Sequence, residues 1–229
     1  MKVKLISCSK PSRQLASEGI YEAQDLIAFC ARVSNPSNQL NTETSEKLIR
    51  YLVKHKHWSP LEMTSACLEI ETTRDIARQI LRHRSFSFQE FSQRYADPTK
   101  DLKFVTRDAR LQDTKNRQNS VDLDIRNNDQ HRFLAAQWEE MQNRVIRESL
   151  NAYQWAIDNG IAKEQARAVL PEGLTESRLY MNGTLRSWVH FIELRSGNGT
   201  QKEHMEVARE CAKAIAEIFP MVTEYVQPE

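Results

Sequence analysis

The sequence has few cysteines, and they lie far apart along the chain. Its 229 residues include four of them: Cys8, Cys30, Cys67 and Cys211. No Cys-x-x-Cys pair occurs and no histidine stands at ligand spacing from a cysteine, so the usual zinc-site and disulfide-framework patterns are excluded. We expect four reduced, mainly buried thiols and no metal site.

An excess of charge of one sign is absent as well. Lysine and arginine total 32, against 31 for aspartate and glutamate, which gives a formal net charge of +1. Proteins that bind polyanions in general usually carry a larger basic excess. The composition therefore disfavours nucleic acid as a general partner and leaves open only a local basic patch.

Long apolar runs are also missing. No stretch approaches the roughly 20 apolar residues of a membrane-spanning helix, and residues 1–8 are too short and too polar for a secretory signal. With 40% hydrophobic and 28% charged residues, the composition is that of a globular protein rather than a disordered chain. We expect no membrane association and a cytoplasmic location.

Hydrophobic periodicity predicts a chain that is rich in helices. The predicted helices cover about residues 21–33, 45–56, 72–81, 129–159, 163–170, 184–195 and 200–219. Partly alternating apolar residues predict short strands at residues 3–5 and 67–71. Because there is no internal repeat or low-complexity linker, the expected fold class is α+β: one helix-rich domain, residues 1–229, around a small and mostly antiparallel sheet.

The longest predicted helix, at 129–159, carries its apolar residues on one face: Leu134, Trp138, Met141, Val145, Ala152 and Ala156. A face of this kind is typical of a helix that packs against a core or an interface. Before it, residues 97–130 form a polar excursion with little periodicity, interpreted as a long surface loop with a short strand near Phe104. A loop of that length is unusual unless it has a function. Its Arg107 and Arg110 are predicted to be solvated charges.

Residues 82–95 combine groups that suit a nucleotide. The segment reads RHRSFSFQEFSQRY and places three arginines, one histidine and three serines beside four aromatic rings. Guanidinium forks suit phosphate, and hydroxyl and amide groups can bond phosphate oxygens or the edge of a heterocycle. A solvated basic loop whose phenylalanines pack on the core is an equally good interpretation of the composition alone.

The spacing in this segment resembles the signature of the flavin-dependent thymidylate synthases. The signature is Arg-His-Arg, two free positions, Ser, four free positions, Ser, one free position and Arg, and it is filled here by Arg82, His83, Arg84, Ser87, Ser92 and Arg94. From average residue usage, six fixed positions match by chance on the order of once in 10⁸ starting points. Further resemblance lies at residues 57–60, 78–79, 166–171 and 185–195, while the 97–130 excursion is the least matched part.

The resemblance implies an FAD-dependent methyltransferase of the flavin-dependent thymidylate synthase fold. Such an enzyme converts dUMP to dTMP by reductive methylation, with 5,10-methylenetetrahydrofolate as the carbon donor, FAD as the relay and NADPH as the reductant. The family also assembles homotetramers whose active sites are shared between subunits. The alternative from another functional class is a single-stranded nucleic-acid-binding module that uses the Arg/aromatic segment for stacking and phosphate contacts.

The resemblance also implies the site residues. The residues expected around dUMP are Gln79, Ile80, Leu81, Arg82, Glu90, Phe91, Ser92, Gln93, Arg94, Arg167 and Arg195. Those expected around FAD are Ser59, Arg82, His83, Arg84, Ser85, Glu90, Thr184, Leu185, Arg186 and His190. Arg195 would be catalytic, because a cation against the uracil imide favours its ionised form and so activates C5.

Two further expectations follow from the residues themselves. Ser92 is interpreted as a phosphate ligand and not a nucleophile, because no His-Asp pair at recognisable spacing is present to activate it. His83 lies between two arginines, which should disfavour its charged form.

The predicted helix at 184–195 places its expected site residues on two different faces. Arg186 and His190 are four apart and share a face, whereas Arg195 lies about 140° further round a regular helix. Either the helix ends before Arg195, or the two groups serve pockets shared with other copies of the chain. The resemblance favours the second alternative.

Overall fold

A four-stranded antiparallel sheet lies at the centre of the fold in the computed structural model, which describes residues 1–228. In chain order the strands and helices are β1 (Lys2–Cys8), α1 (Arg13–Ser17), α2 (Ala23–Ala31), α3 (Ser45–Lys54), β2 (Ser65–Thr73), α4 (Arg74–Ile80), β3 (Ser87–Glu90), α5 (Pro98–Asp101), β4 (Arg110–Gln112), β5 (Ser120–Asp122), α6 (Asp129–Asp158), α7 (Lys163–Ala166), β6 (Glu176–Thr184), α8 (Leu185–Arg195) and α9 (Lys202–Ala216). Short 3-10 turns lie at Pro36–Asn38, Ser59–Glu62, Arg167–Val169 and Pro220–Tyr225. The strand order is β1-β2-β6-β3. The predicted α+β class and mostly antiparallel sheet are confirmed.

Strand β6, which was not predicted from the sequence, lies inside the sheet between β2 and β3. It pairs with β2 from Ser65↔Thr184 to Thr73↔Glu176 and with β3 on its other edge. Its residues alternate between a buried face with Leu179 and Met181 and a more exposed face. This period of two is the signal of a half-buried strand. Helices α8 and α9 pack against the sheet around a core that includes Trp188, Phe191, Ile192, Val207, Cys211 and Ile215.

The predicted helices are present with shorter ends. The helix predicted at 21–33 forms over Ala23–Ala31, and the one predicted at 184–195 forms over Leu185–Arg195. The segment predicted at 163–170 divides into α7 and a 3-10 turn. Helix ends are the least determined part of such a pattern, because capping groups and neighbouring packing compete over one or two residues.

The 97–130 excursion is ordered, and its interpretation as a long loop is wrong. It contains α5 and the β4–β5 hairpin, while Phe104 makes a single bridge to Thr175 in place of the expected strand. Arg107 and Arg110 are not solvated, because their side chains are only 20% and 12% exposed and each pairs with a carboxylate. These ion pairs attach the excursion to the rest of the chain. They cannot be predicted from the periodicity of the sequence, because the partners lie far away in the chain.

Helix α6 packs on the domain mainly through its C-terminal half. Tyr153 and Ala156 lie in a second small core with Ala166 and Leu170. Four residues of the predicted apolar face remain between 42% and 52% exposed: Leu134, Trp138, Met141 and Val145. We call these four residues the α6 stripe. Within residues 1–228 no helix, α6 included, combines the length and the apolar character needed to cross a membrane.

Candidate active site

The signature residues begin in the turn that joins α4 to β3, and buried side chains hold this turn at both ends. Ile80 is fully buried at its start, and Phe86 packs edge-on against Trp188 at a ring-centre distance of 4.8 Å. A Cβ atom at Gly183 of β6 would lie 2.4 Å from Cδ1 of Phe86, so only glycine leaves room for the ring. The turn is therefore held in place at both ends, and it exposes Arg82, Arg84 and Ser85.

Two guanidinium groups of this turn are available to an anion. Arg82 and Arg84 are both exposed, and neither forms an ion pair within residues 1–228. Ser85 lies beside them, and its carbonyl oxygen accepts a 3.2 Å hydrogen bond from Ser187 of α8. Two unpaired cations on a braced turn favour binding of phosphate or pyrophosphate.

Arg195 and His83 form a hydrogen-bonded pair at the end of α8. Nε of Arg195 donates to Nε2 of His83 at 3.1 Å, so the histidine proton resides on Nδ1 and the ring is neutral. Burial lowers the pKa of His83 to about 4, assisted by the positive charges of Arg195 and Arg82. The sequence-based expectation has the right direction, but burial is the largest cause and Arg195 acts more strongly than the flanking Arg82.

A chain of hydrogen bonds connects Gln79 of α4 to the start of α9. Nε2 of Gln79 donates to Oε1 of Gln201 at 2.8 Å, and Oε1 of Gln79 lies 3.2 Å from Nδ1 of His204. His204 is fully buried, and its ring lies near those of His83 and Phe191. Burial, with the charge of Arg195, lowers its pKa to about 3. Gln201 and His204 were not predicted from the sequence, because no local spacing links them to Gln79, which lies more than 120 positions away.

The beginning of α8 carries another group of predicted residues. Oγ1 of Thr184 accepts from the backbone N–H of Ser187 at 3.3 Å and so caps the helix. Arg186 pairs with Glu62, and the ring of His190 lies 4.4 Å from that of Trp58, the neighbour of Ser59. Ser59, Arg186 and His190 therefore lie around the turn at Ser59–Glu62.

Helix α8 carries Arg186 and Arg195 on different sides. It runs to Arg195 without a break, so the alternative in which the helix ends before this residue is wrong. Arg186 contacts Glu62 while Arg195 contacts His83, and these contacts lie on different sides of the helix.

A third group of predicted residues follows β3. Arg94 pairs with the carboxylate of Glu164 at 3.2 Å, and Nε of Arg167 donates to the backbone carbonyl oxygen of the same residue at 3.3 Å. Gln93 is 3% exposed, and its Nε2 has no hydrogen-bond partner within residues 1–228. Buried donors normally have a hydrogen-bond partner. The amino group of Gln93 is therefore available to a partner that residues 1–228 do not supply.

Glu90, Phe91 and Ser92 lie at the start of this third group. Oε2 of Glu90 accepts from Arg78 at 3.1 Å, and its Oε1 accepts from Ser177 at 2.9 Å. The backbone N–H of Phe91 bonds Arg178, and the Ser92 hydroxyl accepts from the Arg94 backbone at 3.4 Å. Glu90 therefore already has its own partners in the chain.

Two of the expected ligand residues are placed in the core. Ile80 and Leu185 are fully buried among apolar neighbours, and backbone groups of both are bonded within the chain, so neither is exposed to a ligand. Leu81 is half-buried. The predicted residues thus form three groups on one chain: the signature turn with the end of α8, the start of α8 with Ser59–Glu62, and the end of β3 with Arg167.

Comparison with known proteins identifies the family of this chain. Residues 18–221 match the family model described as thymidylate synthase complementing protein. The chain belongs to this family. It is 46% identical over 224 residues, 98% of both chains, to a probable flavin-dependent thymidylate synthase of Paramecium bursaria Chlorella virus 1. It is 45% identical over 222 residues, 97% of both chains, to the flavin-dependent thymidylate synthase of Synechocystis sp..

The fold of this chain is also similar to a solved structure. A UMP/dUMP methylase, PolB from Streptomyces cacaoi, bound with 5-Br dUMP, superposes with a TM-score of 0.77 at 27% identity, over 98% of this chain and 93% of that one. The family assignment made from the signature is confirmed. The single-stranded nucleic-acid-binding alternative finds no support in these relatives.

Proposed function

We propose that this chain is a flavin-dependent thymidylate synthase that converts dUMP to dTMP by reductive methylation. The observation that carries the proposal is the signature turn, where Arg82 and Arg84 are unpaired and Arg195 is held by a neutral His83. Methylenetetrahydrofolate would supply the carbon and NADPH the electrons. FAD, when bound, supplies the relay between these co-substrates and the pyrimidine.

The deoxyuridylate phosphate would bind at the third group. Arg94 bonds the carboxylate of Glu164 and Arg167 bonds its backbone oxygen, and the Ser92 hydroxyl stands two residues before Arg94. A phosphate between the two guanidinium groups would form charge-assisted hydrogen bonds, which are roughly twice as strong as neutral ones. The buried Nε2 of Gln93 would gain a partner at the same place.

Arg195 would act on the uracil ring. Its Nε donates to His83, so the guanidinium is held in one orientation and its two terminal amino groups remain for the uracil ring. A fixed cation against the imide lowers the pKa of N3–H and places electron density on C5, the atom that receives the methyl group. Because His83 is neutral, it adds no repulsion to Arg195.

The residues of the flavin set suit a dinucleotide with a pyrophosphate. Arg82 and Arg84 offer two guanidinium groups without an ion-pair partner among residues 1–228, and the positive end of the α8 helix dipole lies nearby, where Ser187 bonds Ser85. Arg186, in the first turn of the helix, and His190, about one turn further along, extend this surface. The protein would supply position and charge to the cofactor and no covalent nucleophile.

We also propose that the protein is a homotetramer with shared active sites. Support comes from the placement of Arg186 and Arg195 on different sides of α8 and from the α6 stripe, which leaves four large apolar residues exposed on one chain. Residues 1–229 would act as one catalytic domain in the cytoplasm. Four free thiols agree with a reducing compartment.

The test is an assay of dTMP formation with and without each of FAD, NADPH and methylenetetrahydrofolate. We expect product only when all are present, and we expect Arg195→Lys to lower kcat by about 100-fold. Lysine keeps the charge but loses the planar fork and the bond from Nε to His83.

The thermal unfolding midpoint of Arg195→Lys serves as the folding control. A well-folded, FAD-loaded wild type that makes no dTMP would refute the function. Near-normal turnover in the lysine variant would instead remove Arg195 from the catalytic step.

A further inference from the structure

The β4–β5 hairpin contacts the start of α9 through two crossed ion pairs. Arg110 and Asp122 stand opposite each other in the hairpin. Arg110 pairs with Glu203, and Asp122 pairs with Lys202 at 2.8 Å. The hairpin supplies the cation of one ion pair and the anion of the other. The pair of Arg110 with Glu203 is much more buried than the pair of Lys202 with Asp122.

Only the first bridge continues into the candidate active site. Glu203 accepts from Arg110 through Oε1 and from Nε2 of Gln201 through Oε2, the latter at 2.9 Å. Gln201 in turn accepts from Gln79 at 2.8 Å, and Gln79 accepts from His204. Lys202 and Asp122 have no bond to this chain of side chains within residues 1–228.

The direction of every bond in the chain follows from Glu203. An ionised carboxylate only accepts, so Gln201 must turn its amino group toward Glu203 and its oxygen toward Gln79. Gln79 must then donate to Gln201 and present its oxygen to His204, whose Nδ1 carries the proton. A reversed amide at either glutamine would place two donors or two acceptors against each other, which costs a buried hydrogen bond.

We infer that Arg110 is a positioning residue for the nucleotide site: through Glu203 and Gln201 it fixes the orientation of the Gln79 side-chain amide. Gln79 then keeps one N–H and one oxygen lone pair, in a fixed order, for dUMP. This inference rests on the proposed function only in taking dUMP as the ligand near Gln79. It gives the polar excursion a role in the site.

The experiment compares Arg110→Met, Glu203→Gln and Lys202→Met in the FAD-loaded enzyme. Arg110→Met removes the donor that fixes Glu203, and Glu203→Gln keeps the size of the side chain but removes the obligatory acceptor. We expect both to raise the KM for dUMP about fivefold, the effect of one misdirected hydrogen bond, with kcat changed less than twofold. Lys202→Met is the matched control, because it breaks the neighbouring bridge between the same elements; we expect its KM to stay within twofold of wild type.

The same variants are also made in a Gln79→Ala background, where the KM increase should disappear because its target is gone. Equal KM increases for Arg110→Met and Lys202→Met would overturn the inference, since docking of the hairpin alone would then explain them. An unchanged KM in Glu203→Gln, or an undiminished increase in the Gln79→Ala background, would overturn it as well. Equilibrium dialysis measures the Kd for dUMP in parallel. A wild type that binds dUMP but forms no dTMP would refute the proposed function. The positioning effect would then still be measurable as a change in Kd.

Discussion

At the residue scale, two histidines remain neutral beside an arginine because they are buried. His83 and His204 lie near Arg195, and burial is the largest cause of the low pKa of each. A neutral His83 can accept a hydrogen bond from Arg195, whereas an imidazolium there would repel it. The site therefore depends on both rings staying neutral, with one proton each and not two.

This arrangement predicts a loss of stability in mild acid. The ordinary histidine pKa of 6.5 falls in the folded protein to about 4 for His83 and about 3 for His204. Between pH 6.5 and about 4 the unfolded chain binds more protons than the folded one, so the free energy of unfolding falls as the pH falls.

His204→Gln removes one of the two groups and keeps a donor for Gln79. Its thermal midpoint, followed from pH 7 to pH 5, should decrease less steeply than that of the wild type. Parallel decreases in the two proteins would contradict neutral burial of His204.

At the element scale, helix α6 raises the question of what covers its exposed stripe. Trp138 and Met141 are 45% and 52% exposed, although the residues of the stripe recur at the spacing of a packed helix. Exposed apolar surface of this size on one helix is a marker of an interface. A second copy of the chain is the occupant that the proposed assembly requires.

Met141→Glu should therefore weaken assembly, because it places a charge in an apolar contact. Asn151→Glu is the matched control: it adds the same charge at an exposed position of α6 outside the stripe. Sedimentation velocity should show smaller species for Met141→Glu and an unchanged oligomer for Asn151→Glu. Identical distributions for the two variants would place the interface elsewhere.

At the scale of the whole molecule, helix α8 carries two arginines of the predicted site on different sides. Arg186 contacts Glu62 on one side of α8, and Arg195 contacts His83 on another. If pockets are completed by other copies, a single pocket takes its Arg186 and its Arg195 from different chains. The isolated monomer would then be inactive.

Mixing chains tests this sharing directly. Co-refolding of an Arg195→Ala chain with an Arg186→Ala chain should restore part of the dTMP-forming activity, because some mixed pockets receive both intact arginines. Arg195→Ala co-refolded with Arg195→Lys is the control, since no pocket there contains Arg195. Activity no higher in the first mixture than in the control would mean that both arginines serve one pocket of one chain.

The sequence by itself determined the class of the fold and the family. Helical periodicity identified the helices, because each must bury an apolar face, and six spaced residues at 82–94 identified the family. It did not predict β6, whose short alternation includes polar residues such as Arg178 and Asn182 on the more exposed face. Nor did it predict the β4–β5 hairpin, since Leu111 and Val121 provide too little apolar pattern to indicate a strand.

Only the tertiary structure decided which residues meet. Gln79 and Gln201 are far apart in the chain, and so are Arg110 and Glu203, yet both pairs are in contact. Sequence also predicted Arg110 to be solvated, because a charged residue in a polar segment has no local sign of its partner. Burial and partnership are properties of the packed chain: they set the protonation of His83, place Ile80 and Leu185 in the core, and leave the α6 stripe exposed.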